Sequence, residues 1–473
     1  MRVLTLAICF AVTMSLLVRA EDSPKKEKTA KDYVERGNIM LARRDTEQAL
    51  ADFEEAIKRD PKLAVAYLSR AVLYIQKGEF DKALADFDEA VQSDPKNGEI
   101  LVDRAMLHMR RGDDEKALAD FDEAIRLNPK NARAFTLRAA AHLAGKEGAR
   151  KEGGLEKAIA DLTKAIEINP KDAFAIERRG GLYRIKGDLD KALADYDAAI
   201  KLTPKSAAMH YERGMIWAAK NNFDKTVADL DEAVWYDPKN LTYLMAHGSA
   251  LIAKSEWAKA AADFDAMIKV NPKMGAAYYR RGVCYAAMNN YDQALADFDQ
   301  VIKLDPKNTA ALVDRGTAWF KKDDSDRALA DFDAALKLDP KNIHALHARG
   351  AMHLEKTNYE KAVVDFEEAL KTDSKDDLSY NNLAWIKATC PDAKFRDGKK
   401  AVEYATKACE LSKYKSYGVL DTLAAAYAED GKFDDAVKWQ TKAVDMAPET
   451  EKKKMRERLE LFQAKKPYRE TKP

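Results

Sequence analysis

Cysteine is scarce in this chain: four in 473 residues, one of them, Cys9, inside an apolar N-terminal run. The other three, Cys284, Cys390 and Cys409, are too few and odd in number for a disulfide framework. With 20 glycines and 14 prolines the chain is neither collagen-like nor low-complexity. Neither sign of charge dominates, with 80 basic against 79 acidic residues. That balance gives no reason to expect nucleic acid or an anionic membrane as the main partner. HExxH, GxSxG, Walker A and paired CxxC patterns are all missing, so no catalytic motif is announced and no cofactor is expected. Long hydrophobic runs are missing too, apart from residues 3–18 behind Arg2. That run is shorter than the ~20 residues that span a bilayer. It reads as a secretory signal peptide, residues 1–20, ending at Val18-Arg19-Ala20. The expectation is an exported protein, in the periplasm, the cell envelope or outside the cell, with no membrane insertion after cleavage. Residues 21–29 read as a disordered linker.

What is present is repetition. ALADFDEA occupies residues 83–90 and recurs unchanged at 117–124. ALADFEEA (49–56), ALADYDAA (192–199), ALADFDQV (294–301) and ALADFDAA (328–335) are near copies. Prolines keep the same beat at Pro61, Pro95, Pro129, Pro170, Pro204, Pro238, Pro272, Pro306 and Pro340, each step 34 residues except one of 41. With proline at position 32, about twelve units start near residues 30, 64, 98, 132, 173, 207, 241, 275, 309, 343, 377 and 417. Each reads as two helices. In the second unit Tyr67, Ala71 and Tyr74 mark one face of a first helix, and Ala83, Phe87 and Ala90 one face of a second. Gly78 lies between them, where a helix end favours left-handed backbone; Gly112, Gly187, Asn221 and Asn289 take the same place elsewhere. Asn97, Asn131, Asp172, Ser206, Asn240, Asn308 and Asn342 stand where an N-cap is needed.

Two units depart from the pattern. The fourth carries seven extra residues around GKEGARKEGG (145–154), a basic turn without the GK[ST] of a phosphate loop. The eleventh carries ATCPDAKFRDGKK (388–400) between its helices. Cys390 and Cys409 fall at opposite ends of that antiparallel pair, roughly 15–20 Å apart, and are not expected to bridge. Beyond residue 450, Met455, Leu459 and Phe462 share one face of a capping helix over 451–465, and 466–473 read as a disordered tail.

The pattern resembles the tetratricopeptide repeat family, whose period is 34 residues. That family places a large residue at position 4, a small one at 8, a large or aromatic one at 11, alanine at 20, an aromatic at 24, alanine at 27 and proline at 32. The second unit fills these with Tyr67, Ala71, Tyr74, Ala83, Phe87, Ala90 and Pro95, and the ninth with Leu312, Gly316, Trp319, Ala328, Phe332, Ala335 and Pro340. The resemblance spans residues 30–450. It implies an all-α fold, an α-solenoid in which about twelve helix–turn–helix units wind into a right-handed superhelix closed by the capping helix. One hairpin cannot bury its apolar face alone, so neighbours share a core. The implied role is a scaffold without catalytic activity that binds protein partners as extended or helical segments. A narrower reading is a component of an envelope-assembly or secretion machine.

The chain departs from the pattern it resembles at position 7, commonly leucine-like in that family. Arg36, Arg70, Arg104, Arg138, Arg179, Arg213, Arg281, Arg315 and Arg349 stand there, with His247 in the seventh unit. Position 23 is aspartate in the same ten units, including Asp86 and Asp331. The expectation is one pair per unit joining its two helices, such as Arg70 with Asp86 and Arg315 with Asp331. Pairing to the following unit fits less well, because Asp365 would face Leu383.

Positions 2, 5, 9 and 12 of the first helices form a second apolar stripe where a solvated back should be polar. The resemblance makes these the lining of a concave groove. Phe174, Tyr211, Met215, Met245, Tyr279 and Phe320 are the candidate partner-binding residues. The Lys/Asn clamp for acidic C-termini is not evident, since Val34 stands where its lysine would be. His344 and His347, at i and i+3, are the single pair with ligand-like spacing; a metal there, serving a hydrolytic or binding role, needs a third ligand such as Asp314.

Overall fold

The computed structural model describes residues 28–144 and 153–470. The signal-peptide reading and the basic turn at 145–152 lie outside the described residues. The chain divides into two compact bodies, residues 1–216 and 217–473, each taken here by itself. Among the described residues there are 25 α-helices and no strand.

The N-terminal body holds α1 (Ala30–Ala42), α2 (Thr46–Arg59), α3 (Ala64–Lys77), α4 (Phe80–Ser93), α5 (Gly98–Arg111), α6 (Asp114–Leu127), α7 (Ala132–His142), α8 (Gly154–Ile168), α9 (Ala173–Lys186) and α10 (Leu189–Leu202). The division falls within α11 (Ala207–Ala219). The C-terminal body holds α12 (Phe223–Tyr236), α13 (Leu241–Ala253), α14 (Trp257–Val270), α15 (Gly275–Ala287), α16 (Tyr291–Leu304), α17 (Thr309–Lys321), α18 (Ser325–Leu338), α19 (Ile343–Glu355), α20 (Tyr359–Thr372), α21 (Asp377–Thr389), α22 (Gly398–Leu411), α23 (Tyr417–Glu429), α24 (Phe433–Met446) and α25 (Glu449–Gln463). Every odd-numbered helix up to α23 starts at a residue where the 34-residue register opens a unit. From α1 to α10 and from α13 to α24, each odd-numbered helix packs on the even-numbered one that follows.

Local chemistry sets these boundaries. α3 stops because Gly78 turns to φ +79°, letting its own N–H reach the Ile75 carbonyl at 3.1 Å and the Glu79 N–H reach that of Tyr74 at 2.8 Å. Asn221 and Asn289 take the same left-handed turn at φ 56° and 60°. Thr357, at φ 57°, makes it with a β-branched side chain, the residue type least suited to it. Asn131, Asn308 and Asn342 accept from the backbone N–H groups of Ala134, Ala311 and Ala345 at 3.0–3.1 Å. Thr29, expected in the linker, instead caps α1 in a reciprocal arrangement with Asp32.

Within a repeat the alanines at positions 20 and 27 let the helices close on a ring at position 24. Phe53, Phe121, Phe264, Phe298, Phe332 and Phe366 are fully buried there. Where position 8 is glycine the ring presses against it: a Cβ on Gly316 would lie 2.7 Å from Phe332 Cε1.

The C-terminal end departs from the repeat. Arg396 ties the long turn of repeat 11 by donating to the carbonyls of Cys390 and Pro391 at 2.7 and 3.1 Å. α25 buries Met455 and Phe462 against the last hairpin, with Leu459 half-buried. Its Arg458 forks onto the buried Asp421 of α23 at 2.9 and 2.8 Å, and Gln440 donates to the same carboxylate at 2.6 Å. Residues 466–470, read from sequence as part of a disordered tail, instead fold back onto α21 and α23. The Glu470 N–H donates to the Thr389 carbonyl at 3.0 Å, and Tyr468 lies tilted against Trp385 with ring centres 6.0 Å apart.

Candidate functional site

The position-7 arginines reach across each hairpin. Arg70 donates through Nε and Nη2 to both oxygens of Asp86 at 2.9 and 2.7 Å. Arg315 holds Asp331 the same way at 2.9 and 2.6 Å. The forked geometry suits guanidinium and carboxylate, and the aspartates are buried. Hydrogen bonding to Asp331, against the cost of burial, raises the Arg315 pKa, so this cation never titrates. The same fork is present for Arg104, Arg138, Arg179, Arg281 and Arg349.

A second set of bonds, which the sequence reading did not foresee, joins neighbouring repeats. The remaining nitrogen, Nη1, turns back to position 25 of the preceding repeat. Arg104 reaches Asp88 at 2.7 Å, Arg138 reaches Asp122 at 2.6 Å, Arg213 reaches Asp197 at 2.6 Å, Arg315 reaches Asp299 at 2.6 Å and Arg349 reaches Asp333 at 2.6 Å. Arg104, Arg138, Arg315 and Arg349 therefore each join three helices. The signal was in plain view: the octet spells Asp-Phe-Asp, one carboxylate for its own arginine and one for the next. In repeat 7 His247 stands between the same two acids, Nδ1 2.9 Å from Asp263 and Nε2 3.1 Å from Asp231.

The second stripe is mixed in character. Val102 and Val313, at position 5, are buried and belong to the shared core. Position 2 is open: Val65, Phe174 and Leu378 are 44%, 50% and 48% exposed. Arg178 lies over the Phe174 ring, 5.0 Å from its centre. Tyr211 and Met215 are half-buried in the N-terminal body. Met245 and Phe320, in the C-terminal body, are half-buried and lean on the cores around Phe264 and Phe332. Tyr279 donates to Asp314 Oδ2 at 2.7 Å, and its ring tilts against Phe298 at 6.0 Å. Burial raises the Asp314 pKa against the opposing pull of Tyr279 and His344. Burial likewise raises those of Glu177 and Asp103, the latter despite its bond to Arg133 at 2.8 Å. Asp103 and Glu177 escaped the sequence reading, which followed only apolar residues along the stripe and met Asp314 only as a possible metal ligand.

His344 and His347 do not converge. His344 acts on Asp314, whereas His347 Nε2 lies 2.6 Å from Asp376 Oδ2 and 2.9 Å from Ser379 Oγ. Among the described residues no group of three or more His, Cys, Asp or Glu side chains is placed to hold a metal ion. Cys284, Cys390 and Cys409 are free and buried. Burial pushes the Cys284 thiol up to about 11 and that of Cys409 up to about 12, which leaves both poor nucleophiles.

Five family models, described as tetratricopeptide or TPR repeats, match residues 34–98, 74–141, 149–172, 180–219, 275–308, 343–376 and 417–450, together more than half of the chain. The chain belongs to the tetratricopeptide repeat family. Solved structures similar to this chain include tetratricopeptide repeat proteins. YrrB, described as a TPR protein with an unusual peptide-binding site, is 26% identical over 40% of this chain and 97% of its own, with a TM-score of 0.37. Yeast Tom70 is 15% identical over 92% of this chain and 96% of its own, with a TM-score of 0.41. A tetratricopeptide repeat protein from Parabacteroides merdae is 20% identical over 52% and 95%, with a TM-score of 0.37. No curated protein matches the chain. The charged seam ties neighbouring hairpins together. The repeats make this a protein-interaction scaffold.

Proposed function

We propose that the chain is a scaffold without catalytic activity that binds extended or helical segments of partner proteins on the faces of its first helices. One observation carries the reading: apolar side chains at position 2, with Phe174 half exposed, stay open to solvent on helices whose other faces are already packed. The half-buried acids beside them, Asp103, Glu177 and Asp314, supply acceptors for a partner's backbone or basic groups. The apolar run behind Arg2 supports export to the periplasm, the envelope or the outside. A dedicated role in an envelope-assembly machine is the narrower form of the same reading.

The test is affinity capture with a Phe174→Ala, Tyr211→Ala double variant. It is expected to keep wild-type helicity and to recover fewer partners from the envelope fraction. Unchanged recovery with intact helicity removes Phe174 and Tyr211 from the binding face.

A further inference from the structure

The last two repeats already have something on their first-helix face: the chain's own C-terminal segment. α25 closes the terminal core with Met455 and Phe462, and nothing beyond Gln463 is needed for that. The chain nevertheless continues with purpose. Lys465 turns to φ 56°, its N–H reaching the Phe462 carbonyl at 3.0 Å and that of Lys466 reaching Leu461 at 2.9 Å; Pro467 then bars further helix. Residues 467–470 run back without regular structure, yet all four are half-buried.

One of their contacts falls on a position of the candidate partner-facing stripe, and the others fall at position 13, at the end of the same first helices. Trp385 is position 9 of repeat 11, and it receives the Tyr468 ring on one side while its Nε1–H donates to Glu470 Oε1 at 2.7 Å. Arg458 sits over both rings, 5.7 Å from that of Trp385 and 5.4 Å from that of Tyr468. Arg469 pairs with Glu429, position 13 of repeat 12, which also holds Arg396 at 3.3 Å. The Glu470 N–H to Thr389 carbonyl bond fixes the backbone. An aromatic ring, a carboxylate two residues on and one main-chain bond are what a bound extended segment uses. One acceptor on the same stripe is still unmet: the Asn381 side-chain oxygen, one turn before Trp385, is buried with no donor among the described residues.

We propose that residues 466–470 are a built-in, displaceable occupant of the first-helix face of repeats 11 and 12. They close it to partner segments of the same chemistry, an aromatic residue followed two positions later by a carboxylate. This rests on reading the first-helix faces as binding surfaces. Tethering raises the local concentration of the segment to the order of millimolar, so a weak intrinsic fit suffices to keep the face covered.

The test uses a fluorescent peptide of residues 464–473 and its scrambled control, read by anisotropy. The full chain is expected to bind the peptide at least about tenfold more weakly than a chain ending at Lys465. A full-length Tyr468→Ala, Glu470→Ala variant should bind like the truncated chain, which covers the case in which truncation impairs folding. Trp385→Phe in the opened chain keeps a ring but loses the indole N–H, and should weaken binding. Equal binding by the full and opened chains overturns the proposal, as does failure of the folded Tyr468→Ala, Glu470→Ala variant to prefer the peptide over its scramble. Because the ligand is defined, these outcomes do not depend on whether Phe174 and Tyr211 capture partners.

Discussion

Arg315 shows what one side chain does in this array. Two of its nitrogens fork onto Asp331 in its own repeat and the third holds Asp299 of the repeat before. Asp331 is almost inaccessible, its side chain 8% exposed, and Arg315 is little more so at 22%. Removing the cation alone strands a buried carboxylate, whereas removing both charges leaves only a packing problem. Arg315→Met is therefore expected to lower stability by about 3 kcal/mol, and Arg315→Met combined with Asp331→Leu by clearly less. Denaturation midpoints of the two variants and the wild type decide it; equal losses would show that the two charges act independently. The same logic explains why the seam stops where it does. Leu383 and Leu423 stand at position 7 of the last two repeats, and the buried carboxylate there, Asp421, is served from α25 by Arg458.

At the scale of the element, helix boundaries were legible because their causes are local. Caps, left-handed turn residues and a 34-residue period all act within one hairpin, so the first residue of each odd-numbered helix could be read directly. Contacts between distant segments were not legible. Trp385 and Glu470 are 85 positions apart and Asp421 and Arg458 are 37 apart, so neither belongs to the repeat period. The candidate partner-facing residues were legible only as a stripe; which of them packing covers, as it does Val102 and Val313, depends on the neighbouring helix. How closely two helices approach is likewise a local choice made at position 8. Repeats 2 to 4 use Ala71, Ala105 and Ala139, whereas Gly316 lets Phe332 sit where a Cβ would be, with the Ala328 carbonyl oxygen 3.1 Å from the same point. Gly316→Ala is expected to destabilise by roughly 1–3 kcal/mol through overpacking, despite alanine's better helix propensity. A melting point equal to or above that of the wild type would mean that α17 can move away from the ring at no cost.

For the molecule as a whole, hairpins bound mainly to their neighbours make stability a property of each junction in turn. Position 7 is arginine in nine repeats and histidine in one, so only one link of the seam can lose its charge near neutral pH. His247 of α13 faces Asp231 of α12 and Asp263 of α14, with Lys259 of α14 the nearby cation. Burial alone would lower its pKa, but the hydrogen bond and charge of Asp263 and the charge of Asp231 outweigh it, and the net shift is upward. A raised histidine pKa means stability that is fully present below the unfolded value of about 6.5 and lost as pH rises through the higher folded value. The reason lies in the placement: a protonated imidazole between two carboxylates gains the attraction of both, and a neutral one does not. The junction of repeats 6 and 7 is thus expected to loosen as pH rises from about 6.5 through the raised histidine pKa, while arginine-linked junctions hold. Amide exchange corrected for its intrinsic pH dependence should show protection of α13 falling relative to α17 over that range. His247→Arg, which restores the residue used in the other repeats, should remove the difference. A constant α13-to-α17 ratio in the wild type, or the same decline in the arginine variant, would place any pH sensitivity of the array elsewhere than at this histidine.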